Sequence, residues 1–348
     1  MDIDIDGEAV VEGIMQSAGS AINAISGTLS REPSGLAKIL IAYGPKSMRD
    51  WIIAGRFNLI QLKKQEEAFS LVCNTLVGHY KKLTTANKTS KRRTLISSAF
   101  SNLCIDQLER DIRLLNVVQK AFTYLPDVES RFDDNEDKKD SDQQLLWLDN
   151  FESLARRRNE PWRVELLSRA IAEIELSSRS ISLKALWELG MLEEDDFNLL
   201  AIFCDSALDV DGRPLMLILP EEQIKFELDS KDGAGVYNLA YAVNMLVDKR
   251  LVQKIETQVE TSCPVLLKHS MGAHYLHHTI ENLSEDSKTA IQIIAFEPTD
   301  YCLDICRLYD PDHNSVSYAN FEILKNTLEE GSEKVENFGL VDFKEVLP

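Results

Sequence analysis

The stretch NEPWRVELLSRAIAEIELSSRSISLKALWELGMLEEDDFNLLAIFCD, from Asn159 to Asp205, decides the fold class. Asn159 can cap a helix whose first turn holds Pro161, where the missing proline N–H is one that no helix would satisfy. Val164, Leu167, Ile171 and Ile174 then recur three or four residues apart and share one face. Ser182 predicts the cap of a short helix carrying Leu183, Leu186 and Leu189, with Gly190 as its C-cap. A third helix is predicted from Glu193 to Asp205. Its acidic start suits the helix dipole, and Phe197, Leu200, Ala201 and Cys204 form its inner face. Three helices in succession with no strand between them must pack on one another, so the chain reads as mainly α.

Toward the N-terminus the same grammar continues. Leu36 to Tyr80 reads as helices broken at Gly44-Pro45, with Trp51, Ile52, Phe57, Ile60 and Leu62 as core. Leu95 to Leu125 carries Ile96, Phe100, Leu103, Leu108, Ile112, Leu115, Val118 and Phe122, which the spacing assigns to a bundle interior. Residues 13 to 30 hold no charge until Arg31 is reached and are rich in Gly, Ser and Ala. Small residues let backbones approach, so this helix is a candidate for self-association or membrane contact, beside the plainer expectation of an amphipathic helix docked on the protein's own core. Asp127 to Asn150 holds nine acids and three bases, and self-repulsion there predicts an extended linker.

Beyond Asp205 the pattern changes. Leu215 to Leu219 reads as a buried strand after the Asp211-Gly212 turn. Tyr237 to Arg250 reads as a helix followed by strands at Leu251 to Ile255 and Val265 to Leu267, the outline of a winged helix. Ala290 to Phe296 is a predicted strand, Thr299 a predicted N-cap for a helix from Asp300 to Leu308, and another helix is expected near Phe321 to Glu330. The expected architecture is therefore helical bundle segments plus a winged-helix-like α+β C-terminal half. Its parts are a Gly/Ala-rich amphipathic helix (1–30), a helical domain (31–126), an acidic linker (127–150), a helical core (151–220), a winged-helix-like module (221–289) and a small α+β module (290–348).

Composition narrows the functional classes. The 348 residues carry 57 acids against 38 bases, a formal charge of −19, which opposes broad contact with nucleic acid or an anionic membrane. Six scattered cysteines without a CxxC pair are expected as reduced thiols, with Cys302 and Cys306 sharing a helix face. The acidic start MDIDIDGE is unlike a secretory signal, and the expected location is cytoplasmic, with residues 1 to 30 as the candidate for peripheral membrane contact.

Three constellations could carry chemistry. Lys81, Lys82, Lys88, Lys91, Arg92 and Arg93 form a basic run without an acid and are the candidate anion-binding residues. His274, His277 and Glu281 would share a face if helical, with donors suited to zinc or manganese. Asp211, Asp229 and Lys231, spaced around the strand from Leu215, loosely imitate a nuclease arrangement in which carboxylates hold Mg²⁺ and lysine steadies the phosphoryl charge. Asp310, Asp312 and Asn314 begin like a calcium loop, but the bidentate acid comes one place late, so a helix-start turn is expected.

Pro161 to Cys204, the stretch FEPTDYCLDI from Phe296 to Ile305, and the Gly-rich helix at residues 7 to 27 together resemble bacterial helical families of unknown function that include the abortive-infection alpha type. The resemblance covers about half the chain. It implies a helical fold and a setting in anti-phage defence, and it transfers no catalytic residues. The leading expectation is a protein without catalysis or cofactor, acting by contact with a protein partner or with itself. A metal-dependent nuclease and a DNA-binding winged-helix protein, with nucleic acid held only locally, are the alternatives.

Overall fold

The computed structural model describes residues 34–53, 58–89, 95–126, 142–176, 181–210, 212–217, 225–230, 233–259, 265–269, 272–279, 291–330 and 334–341. It is mostly helical, with an antiparallel sheet in its second half. The chain forms two compact units, residues 1–183 and 184–348.

The first unit contains α1 (Gly35–Tyr43), α2 (Lys46–Ile53), α3 (Leu59–Lys63), α4 (Glu66–Thr89), α5 (Leu95–Ala121), α6 (Asp142–Arg157) and α7 (Pro161–Leu176). Gly44-Pro45 separates α1 from α2, as proline requires. Ser34 Oγ accepts the Ala37 N–H at 3.2 Å to open α1, and Asn58 Oδ1 accepts the Gln61 N–H at 2.7 Å to open α3. Helices α4 and α5 form an antiparallel hairpin. Asn87 Nδ2 donates to Asn102 Oδ1 at 2.8 Å near its turn, and the Phe69 and Phe122 rings meet edge to face at 5.2 Å near its base. Leu76, Leu83, Leu114, Leu115 and Val118 are buried between.

Residues 142 to 150, assigned to a linker by their acids, are the first half of α6. Trp147 and Phe151, four residues apart, are both buried and stack at 5.4 Å, while Asp149 stays exposed. Burying two aromatic rings on one face outweighs the repulsion of acids left in water. Residues 127 to 141 lie outside the described residues, as does the N-terminal segment 1 to 33. Helix α7 docks on α5 through Ser168 Oγ, which donates to the Val117 carbonyl at 2.9 Å, and through the Lys120–Glu165 ion pair. Arg163 is buried on α7, its guanidinium 4.3 Å from the centre of the Trp162 ring and 2.5 Å from Glu160.

The second unit begins with α8 (Leu183–Met191) and α9 (Glu194–Ser206), then β1 (Leu208–Val210), β2 (Arg213–Leu217), β3 (Lys225–Ser230), β4 (Gly233–Asn238), α10 (Leu239–Asp248), β5 (Val252–Val259), β6 (Val265–His269), β7 (Gly272–Thr279), β8 (Ile291–Pro298), α11 (Asp300–Leu308), α12 (Ser315–Glu330) and β9 (Lys334–Val341). Seven strands make one antiparallel sheet in the order β5-β8-β2-β1-β6-β7-β9, and β3 pairs with β4 in a separate two-stranded sheet. Leu208, Leu215, Leu217, Val265, Leu267 and Ala295 bury one face under Phe321 and Leu324 of α12. At the β1–β2 turn Gly212 has φ +75°, where a side chain is disfavoured, and donates its N–H to Asp209 Oδ1 at 2.7 Å.

A wing would require β5 and β6 to pair as a hairpin. Instead β5 pairs with β8 along eight positions, from Val252 opposite Pro298 to Val259 opposite Ile291, while β6 pairs with β1 and β7. The five residues of β6 could satisfy fewer backbone groups of β5 than β8 does. The helix before them is also shorter than predicted, because Tyr237 belongs to β4.

Helix α10 ends in a left-handed residue, Arg250 at φ +59°. The Leu251 N–H donates to the Leu246 carbonyl and the Arg250 N–H to the Val247 carbonyl, each at 2.9 Å, with Leu246 and Leu251 both buried. This is the Schellman arrangement, built with arginine where glycine is usual.

Candidate functional surface

The turn-side part of the α4–α5 hairpin departs from the acidity of the rest of the chain. From Ala68 to Ile105 there is no Asp or Glu, in a chain with 57 of them. Lys81 and Lys82 are exposed on the last turns of α4. On the first turns of α5, Phe100 is 44% and Leu103 67% exposed. The Asn87–Asn102 bond sets the register, so Leu103 stands level with Ala86, four residues and about 6 Å along the axis from Lys82. Burial and the neighbouring Lys82 ammonium both lower the His79 imidazole below its ordinary value. Lys88 is the penultimate residue of α4, and Lys91, Arg92 and Arg93 lie outside the described residues.

Phe100 and Leu103 were expected in the core, and their exposure is a correction. The signal was in the spacing. Ile96, Phe100 and Leu103 step by four and three, but the next apolar residue of that set is Leu108, five further on, which rotates the stripe by roughly 140°. The buried side of α5 runs through Ser101, Leu108, Asp111, Leu114, Leu115 and Val118.

Polar groups also gather inside the first unit. Glu152 accepts the N–H groups of Gly35 at 2.7 Å and Leu36 at 3.0 Å, so a carboxylate from α6 closes the start of α1. Arg156 Nε lies 3.2 Å from Asp111 Oδ1, and Gln107 Nε2 donates to the same oxygen at 3.0 Å. Burial pushes the Asp111 carboxyl above its usual range, and the charge of Glu152 adds to that, against the pull of Arg156 and Gln107. Burial, then Asp111 and Cys104, raise the Tyr43 phenol.

A comparable knot ties the second unit where α9 meets the turn before α12. Asp205 accepts the Asp312 N–H at 3.0 Å and the Tyr309 hydroxyl at 3.2 Å, and its carbonyl accepts the Asn314 N–H at 3.0 Å. Asn314 Oδ1 in turn accepts the Val316 N–H at 2.8 Å, which makes the Asp310–Asn314 stretch a helix-start turn. Burial raises the Asp205 carboxyl to about 6, the two hydrogen bonds oppose this, and the Asp312 charge adds to it. Next to it the buried thiols of Cys302 and Cys306 on α11 meet Cys204 of α9, and these contacts, with burial, hold Cys306 protonated. The shared face of Cys302 and Cys306 is as expected; its third member, Cys204, comes from a helix far away in sequence.

The remaining candidates are not brought together as their chemistry would need. His274 and His277 lie on strand β7, so the helical spacing that would unite them is lost, and Glu281 is outside the described residues. Asp229 is on β3, which belongs to a different sheet from β2, and Asp211 and Lys231 are outside the described residues. Among the described residues no three His, Cys, Asp or Glu side chains are arranged to hold a metal ion, and no helix is long and apolar enough to cross a membrane. No protein-family model, curated protein or solved structure matches this chain.

Proposed function

We propose that this protein acts without catalysis, as an interaction protein whose working surface is the turn-side part of the α4–α5 hairpin. The observation that carries this is the combination of exposed Lys81, Lys82, Phe100 and Leu103 within an acid-free stretch of a chain of net charge −19. Phe100 and Leu103 stand three residues apart on α5, neighbouring apolar side chains left in water. The polar clusters elsewhere have inward partners: Glu152 closes a helix, Asp205 braces a turn, and Lys249 at the end of α10 is paired with Asp196 of α9. The resemblance noted above suggests a bacterial anti-phage or stress setting for the interaction.

The test is retention on immobilised heparin at low salt and pH 8, where the whole protein is strongly anionic. Wild type is expected to be retained and K81E/K82E to flow through, with both proteins equally folded by circular dichroism. Flow-through of the wild type would remove the basis of the proposal.

A further inference from the structure

We infer that two copies of this chain pair edge to edge through strand β5, antiparallel and about a two-fold axis at Ile255; this goes beyond the α4–α5 surface and uses the other unit. Strand β5 ends the seven-stranded sheet, so among the described residues it has a strand on one side only. In such a strand every second residue turns its N–H and C=O outward, ready for a further strand. Proteins commonly spoil an edge by shortening it, bulging it or placing proline on it. β5 has eight residues, none of them proline, and its register with β8 runs without a break from Val252 opposite Pro298 to Val259 opposite Ile291. Gln253, Lys254 and Glu256 are exposed along it.

Parity and charge select a second copy as the occupant. Ile255 packs on the core beneath α12 and stands opposite Ala295, so its neighbours Lys254 and Glu256 lie on the other face of the sheet. For two copies to keep their cores on one side of a joint sheet, residues opposed across the seam must share a face, and the two-fold must therefore fall on a residue. Three residues stand at or beside the middle of the strand. Centring on Lys254 sets that lysine against its own copy, and centring on Glu256 does the same with the glutamate, like charges about 5 Å apart. Centring on Ile255 sets Lys254 opposite Glu256 of the second copy, and Glu256 opposite its Lys254. The same register opposes residues 252–258, all but the last residue of the strand, and brings the two Ile255 side chains together on the core side.

The experiment is sedimentation equilibrium of the full chain at physiological salt. Wild type should dimerise across a micromolar concentration series. K254E and E256K each turn both cross-seam pairs from attraction to repulsion, and each should weaken the dimer roughly 10- to 100-fold. The swap K254E/E256K again opposes unlike charges and should restore the dimer. An equimolar mixture of K254E and E256K should form a heterodimer, since one chain then offers two glutamates and the other two lysines. Chains that failed to fold could not do so, and thermal melts of each variant will match wild type because both positions are exposed. A wild type that stays monomeric overturns the inference. So does a dimer indifferent to K254E and E256K, which places the contact elsewhere in the chain, and so does a swapped variant that stays weakened. K81E/K82E should dimerise like wild type, so failure of this contact and failure of the α4–α5 surface are read separately.

Discussion

The Glu152 carboxylate receives the N–H of Gly35 at 2.7 Å, so the start of the first described helix is closed by a side chain 117 residues further along. A Cβ on Gly35 would stand inside contact distance of both the Glu152 carboxylate and the Arg156 guanidinium. Gly35→Ala must therefore displace the Glu152 carboxylate that closes α1 and the Arg156 side chain beside it. We expect it to cost about 1–3 kcal/mol, in the range of overpacking a tight site. Glu152→Ala should cost a similar amount by leaving two helix-start N–H groups without their acceptor. Urea unfolding followed separately for the first unit will measure both, and a neutral Gly35→Ala would show that Arg156 can swing away freely.

Asp205 makes the second unit sensitive to pH. Its folded pKa is raised to about 6, above the ordinary carboxylate value, so the folded state binds the proton more tightly than the unfolded chain. The associated stability is fully present below about pH 4 and is lost as the pH rises through about 6. Asp205→Asn, which keeps an acceptor but cannot ionise, should flatten the melting temperature between pH 4 and 7 relative to wild type. Parallel slopes for the two proteins would show that Asp205 is not the group responsible.

Arg250 occupies a backbone conformation that an L-residue adopts at a cost. Its side chain is exposed, and the hydrogen bonds that use this residue come from its backbone: the carbonyl accepts the Thr299 hydroxyl at 3.1 Å and also the Tyr301 hydroxyl. Arg250→Gly should therefore raise stability by about 0.5–1 kcal/mol, the relief of left-handed strain less the added freedom of the unfolded chain. Differential scanning calorimetry at matched pH will read this, and a lowered melting temperature would contradict it.

The thiols divide by burial. Cys204, Cys302 and Cys306 are enclosed, whereas Cys73 and Cys104 are partly exposed, with burial lifting Cys73 to about 11 and Cys104 above its ordinary value. Native-state alkylation mapped by mass spectrometry should leave the first three unmodified until denaturant is added, and should label Cys104 ahead of Cys73. Labelling of Cys306 in the native protein would mean that α9 and α11 separate readily.

Local grammar made the helices legible. Thr299 at an N-cap position and the spacing of Cys302, Leu303 and Cys306 predict a helix from Asp300 to Leu308, and those are its bounds. Pro161 likewise begins α7. Gly190 misled slightly, since it is buried inside α8, which continues to Met191. The errors arose where a local pattern met a distant partner. His274 and His277 carry helical spacing, yet Gly272 to Thr279 is drawn into the sheet by β6 on one side and β9 on the other. The Asp142 to Asn150 segment reads as linker by charge until Trp147 finds Phe151. Of the candidate surface, the lysines were visible as a basic run. The exposure of Phe100 and Leu103 was marked only by the five-residue step from Leu103 to Leu108, which a reading of three-and-four spacing passes over.

The strand order has a consequence for the moment at which each unit can fold during synthesis. In the first unit α4 packs on α5, the next helix to emerge, and α5 then receives α6 and α7 in turn. In the second, β2 lies in the middle of the sheet, and Leu217 has no partner on its open side until Ala295 is made. The half-built sheet therefore presents an apolar, unpaired edge throughout the translation of everything from β3 to β7. That interval is when the nascent chain most needs a chaperone, and slowing the ribosome there should raise misfolding of the second unit while leaving the first intact.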